Sequence, residues 1–311
     1  MKIEKIKYGM RAFLLSMLFV LILLPDTASA RVPIDLNQKN SLTIHFPCDN
    51  IPIQIYRVAD VTEAGEYIRT EAFSDYNILL EQPDQTGWRN LAATISGYAE
   101  RDGIKTLESG VTDEDGTIVF ENLKAGLYLV SEGKGIKDGY EYTSEAFLVA
   151  LPELGERDQW IADVNSTPKY TKDPLQPEGT TIQKKVLKIW DDAESKKRPQ
   201  KIEVQLLKDG KITETVSLAK ENNWKYQWDH LDASSTWKVV EKEVPSGYTV
   251  TINQDDSTFT ITNKLNVPAE TKPSKLPQTG QMWWPVGILT VTGMLVFFAG
   301  WLRRKNSHEE N

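Results

Sequence analysis

Thr181-Ile182-Gln183-Lys184-Lys185-Val186-Leu187-Lys188-Ile189-Trp190 is the stretch that decides the fold. With the two-residue period of a strand, Val186, Lys188 and Trp190 fall on one face, so the pattern turns a lysine toward the core. Similar short segments recur at Ser41 to Phe46, Ile51 to Val58, Thr117 to Phe120, Leu127 to Ser131 and Ala146 to Leu151. They continue at Lys201 to Leu207, Trp237 to Val240 and Thr258 to Asn263. All are rich in Val, Ile, Thr and aromatic residues, and turn-formers such as Asp209-Gly210 and Pro245-Ser246-Gly247 separate them. The expected class is all-β, built as sandwiches.

One region departs from this pattern. Between Asp75 and Arg101, Leu79, Leu80, Leu91, Ile95 and Tyr98 recur at near-helical spacing, which predicts one or two short helices inserted in the first domain. Proline-rich composition over Pro168 to Gly179 marks a linker, and Pro268 to Pro273 a polar tether. The expected organisation is a first sandwich over 31–170, a linker over 171–179, a second sandwich over 180–265 and a tether over 266–275. The sandwiches read as divergent copies: Phe120, Leu123, Tyr128, Val130, Glu132 and Gly139-Tyr140 parallel Trp228, Leu231, Trp237, Val239, Glu241 and Gly247-Tyr248.

The formal charge is −8, and the longest basic run away from the termini is Lys196-Lys197-Arg198, so nucleic acid is not an expected partner. The single cysteine, Cys48, cannot form a disulfide within one molecule, and it reads as a buried or half-buried free thiol. His45, His230 and His308 have no metal-ligand spacing. With no nucleophile–base pattern or phosphate loop, neither metal nor cofactor is expected, and the chain does not read as an enzyme.

The ends carry their own signals. Lys2, Lys5, Lys7 and Arg11 precede an apolar stretch from Ala12 to Leu24 and then Ala28-Ser29-Ala30, the layout of a secretory signal peptide over 1–30 cleaved between Ala30 and Arg31. At the other end, Leu276-Pro277-Gln278-Thr279-Gly280 leads into an apolar run from Met282 to Leu302, long enough to cross a bilayer, and then into Arg303, Arg304 and Lys305. Trp283, Trp284 and Trp301 sit at the interfaces of that run, and the basic residues favour the cytoplasmic side. Pro277 holds Leu276 extended, as a peptide lying in an enzyme groove requires. Residues 276–311 resemble the L-P-x-T-G sorting signal of Gram-positive surface proteins. The resemblance implies that a sortase cysteine attacks the Thr279 carbonyl, releases Gly280 onward and passes the acyl group to an amine.

Within 180 to 265, Val186-Leu187-Lys188-Ile189-Trp190-Asp191-Asp192, Arg198-Pro199, Val204 to Gly210, Trp224-Lys225-Tyr226, Val240-Glu241 with Gly247-Tyr248, and Ile261-Thr262-Asn263 occur in order. The series resembles the B-type repeat domain of collagen adhesins, which implies a tandem immunoglobulin-like architecture and an intramolecular isopeptide bond. The resemblance assigns Lys188 as nucleophile, Asn263 as electrophile and Glu241 as proton shuttle, with Lys184 and Lys185 as alternatives in another register. Burial of the three suits this chemistry, because it favours a neutral amine and a protonated acid. The first domain departs from the pattern: Glu132 takes the acid position, but Leu42 to Phe46 offers no lysine, and Lys39 and Asn165 are a candidate pair only.

Trp160-Ile161-Ala162-Asp163-Val164 followed by Pro168-Lys169 resembles the pilin motif of sortase-assembled pili, although Ser166-Thr167 stands where Val-Tyr is often found. The run at 120 to 130 and Phe147-Leu148-Val149 add to the likeness. It implies a pilus subunit in which Lys169 accepts the acyl group from Thr279 of another subunit. The expected partners are sortase, other pilin subunits, the peptidoglycan cross-bridge and a host surface ligand. The expected location is the cell wall or pilus after transient membrane retention. The alternative is a wall-anchored adhesin or basal pilin that uses Thr279 only.

Overall fold

The computed structural model describes residues 32–155, 158–193, 196–255 and 257–266. The expected signal peptide with Ala30 and Arg31, the pentapeptide from Leu276 to Gly280 and the apolar run to Leu302 lie outside the described residues. Among the described residues, no helix is long and apolar enough to cross a membrane.

The first half contains β1 (Asn40–His45), β2 (Pro52–Val61), β3 (Tyr67–Arg69), β4 (Glu108–Val111), β5 (Thr117–Leu123) and β6 (Gly126–Val130). It continues with β7 (Lys134–Lys137), β8 (Tyr140–Ser144), β9 (Phe147–Leu151), β10 (Glu153–Leu154), β11 (Trp160–Ile161), β12 (Asp163–Ser166) and β13 (Tyr170–Pro174). The second half contains β14 (Thr181–Asp191), β15 (Lys201–Lys208), β16 (Lys211–Ala219), β17 (Lys225–Asp232), β18 (Trp237–Glu241), β19 (Tyr248–Asp255) and β20 (Thr258–Leu265). The helix α1 (Gln85–Arg101) lies between β3 and β4.

The two halves share one plan. In the first, β1 lies between β12, which is parallel to it, and β5, which is antiparallel. In the second, β14 lies between parallel β20 and antiparallel β17. The facing sheets pair β2 with β6 and β15 with β18. The tandem immunoglobulin-like reading therefore holds at the level of strand topology.

Two expectations need correction. Tyr170–Pro174 forms an edge strand on β8, so half of the expected linker over 171–179 belongs to the first half. Proline is tolerated at the end of such a strand, where no ladder donor is lost. Leu79 and Leu80 lie outside any helix, because Pro83 disfavours helix before it and Asp84 caps α1 by accepting from Gly87 N at 2.8 Å.

Leu42, Ile44, Ile53, Phe120, Tyr128, Val130 and Val164 form the core of the first sandwich, and Cys48 is buried with them as a free thiol. The second core includes Val186, Val204, Leu206, Val239, Phe259 and Ile261, and it continues without a break into Leu91, Ile95 and Tyr98 of α1. The two halves thus share no sheet but share apolar packing.

Candidate functional site

Strand β14 buries Val186 and Lys188, half-buries Trp190 and exposes Leu187 and Ile189, so Lys188 points inward and only 4 % of it is exposed. Its Nζ donates to the Ile189 carbonyl at 2.8 Å and to the Ile261 carbonyl at 3.4 Å. It also lies 4.0 Å from the centroid of the Trp190 ring. The alternatives Lys184 and Lys185 are half-buried and exposed.

Asn263 comes from β20, the parallel neighbour of β14, and is opposite Trp190 in register. Glu241 ends β18 in the facing sheet, opposite Val204. Both residues are fully buried, and Asn263 Nδ2 donates to Glu241 Oε1 at 3.1 Å across the sandwich. Among the described residues, Glu241 Oε2 and Asn263 Oδ1 have no hydrogen-bond partner. Two unsatisfied oxygens beside a buried amine make this a costly, polar centre in an otherwise apolar core.

Burial lowers the Lys188 pKa, opposed by the Glu241 and Asp192 charges and assisted by Arg198. Burial raises that of Glu241, opposed by Lys188 and by the Asn263 hydrogen bond. The two groups are driven toward the neutral pair. An outer ring surrounds them: Arg198 donates to Asp192 Oδ2 at 3.1 Å, and Tyr248 Oη donates to the same oxygen at 2.9 Å. Trp190 packs edge-on against Trp224 and Tyr248. These residues are visible in the sequence as motif positions, without a role. Tyr98 and Arg101 reach the Glu241 carbonyl from α1, and although Tyr98 was visible as an apolar position at helical spacing, nothing in the sequence pointed either residue at this site.

The first half lacks such a centre. Its inward positions on β1 and β12 are Asn40, whose Nδ2 donates to the Leu123 carbonyl at 3.2 Å, Leu42, Ile44 and Val164, while Lys39 and Asn165 are exposed. Glu132 instead accepts from Lys238 of the second half at 2.6 Å. Lys169 is exposed between β12 and β13, next to buried Pro168, at a groove of about 300 Å³ that Trp88 and Phe147 also line. His45 Nδ1 pairs with Thr117 Oγ1 at 3.1 Å, and among the described residues no group of three or more side chains has metal-ligand geometry.

Residues 184–264 match the family model of the Cna protein B-type domain, and residues 76–163 match that of the prealbumin-like fold domain, SpaA. The chain contains both kinds of domain. A collagen adhesin of Staphylococcus aureus is 37% identical to it over 107 residues, 34% of this chain and 8% of that relative. Among solved structures, a single B repeat unit of the S. aureus collagen-binding surface protein is 16% identical, with a TM-score of 0.27 over 74% of this chain and 99% of that one. The shaft pilin SpaA of Lactobacillus rhamnosus GG is 16% identical, with a TM-score of 0.26 over 73% and 98%. The major pilin SpaD of Corynebacterium diphtheriae is 14% identical, with a TM-score of 0.27 over 75% and 99%. The triad Lys188, Glu241 and Asn263 lies inside the B-type match.

Proposed function

We propose that the chain is a structural protein of the Gram-positive cell surface, a pilus subunit joined to its neighbours by sortase and locked internally by a Lys188–Asn263 isopeptide bond. The observation that carries this reading is a buried amine in electrostatic reach of a buried carboxyl that itself accepts from a buried amide, where an ordinary sandwich core would place apolar side chains. In the reaction, Glu241 protonates the Asn263 amide oxygen. The Asn263 side chain, turned about its Cβ–Cγ bond, presents Oδ1 to that acid. Neutral Lys188 Nζ attacks Cγ, the Glu241 carboxylate relays one lysine proton to Nδ2, the Cγ–Nδ2 bond breaks to release ammonia, and Oδ1 returns its proton to Glu241 as the carbonyl re-forms. The event happens once per molecule, so the protein is sortase's substrate and not itself an enzyme.

Lys169 supports the polymer reading, because it is exposed and held beside a buried proline where a bulky acyl-enzyme can approach. Thr279 of one subunit would join Lys169 of the next, and the last Thr279 would join the peptidoglycan cross-bridge. One observation favours a second reading, a wall-anchored adhesin that uses Thr279 only and binds a host ligand: the curated relative is a collagen adhesin. Sortase-positive cells carrying Lys169→Ala separate the two. High-molecular-weight ladders lost in that variant support the pilus, and their absence from the parent supports the adhesin. An intact mass without the deficit of one ammonia, about 17 Da, refutes the internal bond.

A further inference from the structure

The second sandwich leaves two strand edges open on one side, β18 in one sheet and β19 in the other. Unpaired edges need a cover, and the first half supplies it. Ile252 N donates to Thr94 Oγ1 at 2.7 Å, and Val250 N donates to Asn77 O at 2.9 Å, which gives two edge donors of β19 partners from the first half. On the β18 side, Lys238 Nζ donates to Ser96 Oγ at 2.9 Å and to Glu132 at 2.6 Å. Tyr98 Oη donates to the Glu241 carbonyl at 3.0 Å, and Arg101 Nη1 donates to the same oxygen at 3.2 Å. Gly97 permits this approach, since a Cβ there would lie 2.9 Å from Val240 Cγ1.

Glu241 is the last residue of β18, the place where a strand frays. Its backbone is held by two donors from a helix that precedes it by more than a hundred residues. We propose that α1 is part of the cross-linking apparatus: docking of the first half sets the Glu241 carboxyl against Asn263, with Tyr98 and Arg101 as positioning residues. This rests on the isopeptide reading above. Bond closure then waits for the first half to fold, and a chain with that half undocked stays open.

The test follows cell-free synthesis of the full chain, quenched at intervals, with loss of ammonia read by intact mass. Tyr98→Phe with Arg101→Met keeps the apolar contacts and removes both hydrogen bonds to the Glu241 carbonyl, together with the Arg101 bonds to the Lys242 carbonyl and to Asp102. Closure should slow about tenfold, as expected when a reacting group loses its fixed placement. Thr94→Val loosens the same interface at β19 and should leave the rate within about twofold. Thermal midpoints of the same substitutions on a Lys188→Ala background, where no bond forms, report pure stability. If the double variant does not fold there, Tyr98→Phe alone takes its place. Closure at the parental rate overturns the proposal, as does equal slowing by Thr94→Val. A parent that never loses ammonia overturns the isopeptide reading and this one with it, a result visible before any variant is made.

Discussion

Glu241→Gln tests the internal bond with the least change of shape. Glutamine keeps the volume of the side chain and an oxygen for Asn263 Nδ2, now 3.1 Å from Glu241 Oε1, but it cannot relay a proton. The amine and amide then remain side by side without reacting, and the parent's deficit of one ammonia should be absent. The bond would close a loop of about 75 residues, which the chain-entropy relation for cross-links values at about 4.5 kcal/mol. For a folded unit of this size, each kcal/mol shifts the midpoint by about 2–4 °C, so Glu241→Gln should melt about 9–18 °C below the parent. Glu241 Oε2 has no partner among the described residues, so the new NH2 group adds an unsatisfied donor and a further cost of about 1 kcal/mol. Lys188→Met loses the same bond without that cost and should fall slightly less. The assay is intact mass together with calorimetry on the same samples. A Glu241→Gln protein that still loses ammonia at the parental rate refutes the shuttle. A variant that lacks the bond yet melts with the parent refutes the loop-entropy reasoning.

Closure should show a bell-shaped pH profile. Lys188 must be neutral, and burial brings its pKa down to about 7, while Glu241 must be protonated, and burial brings its pKa up to about 7. The rate should therefore fall toward acid as Lys188 gains a proton and toward alkali as Glu241 loses one, and a rate rising steadily to pH 10 would exclude Glu241 as the acid. Arg198→Gln should slow closure by removing one positive charge from beside the fully buried Asp192 side chain, a charge that itself lowers the Lys188 pKa. Adding Asp192→Asn should restore the rate in the mass assay, and failure of that rescue would assign the Arg198 effect to packing. Lys238→Met leaves Glu100 and Glu132 facing each other and should cost about 3 kcal/mol in denaturant titration, largely recovered by Glu132→Gln.

The inward face of Lys188 was legible because β14 alternates, with Val186 buried, Trp190 half-buried and Leu187 and Ile189 exposed, whereas Glu241 lies on a strand buried at every position and, like Asn263, was singled out by the family resemblance alone. Strands with two polar faces were harder to see. Lys211–Ala219 and Lys225–Asp232 lie at sheet edges, expose most of their residues and carry little apolar alternation. Tyr170–Pro174 is exposed throughout and flanked by prolines, so its composition is that of a linker although its backbone pairs with β8. The contacts from Tyr98, Arg101 and Glu132 into the second half had no local signature at all. They join residues more than a hundred positions apart, and nothing in a helix's apolar stripe states which sheet it will cover.

The asymmetry between the halves has a mechanical explanation under the proposed polymer. Tension would enter a subunit at Lys169 and leave at Thr279, so the loaded path runs through β13 into β14, reaches Lys188, crosses the bond to Asn263 and exits through the end of β20. First and last strands of the second sandwich are parallel neighbours, so opposed pulls on their ends shear them past each other. A covalent tie between those two strands sits where that shear acts, and it takes residues 189–262 off the path. Residues before Lys169 form a side branch that carries no tension, and there β1 and β12 bury no lysine: Leu42, Ile44 and Val164 are apolar, and buried Asn40 donates to the Leu123 carbonyl. A buried polar triad is expensive unless it becomes a bond. The second half, in series with the load, is where such a bond has a task; the first half, beside the load, gains more from an apolar core and from lending α1 to its neighbour.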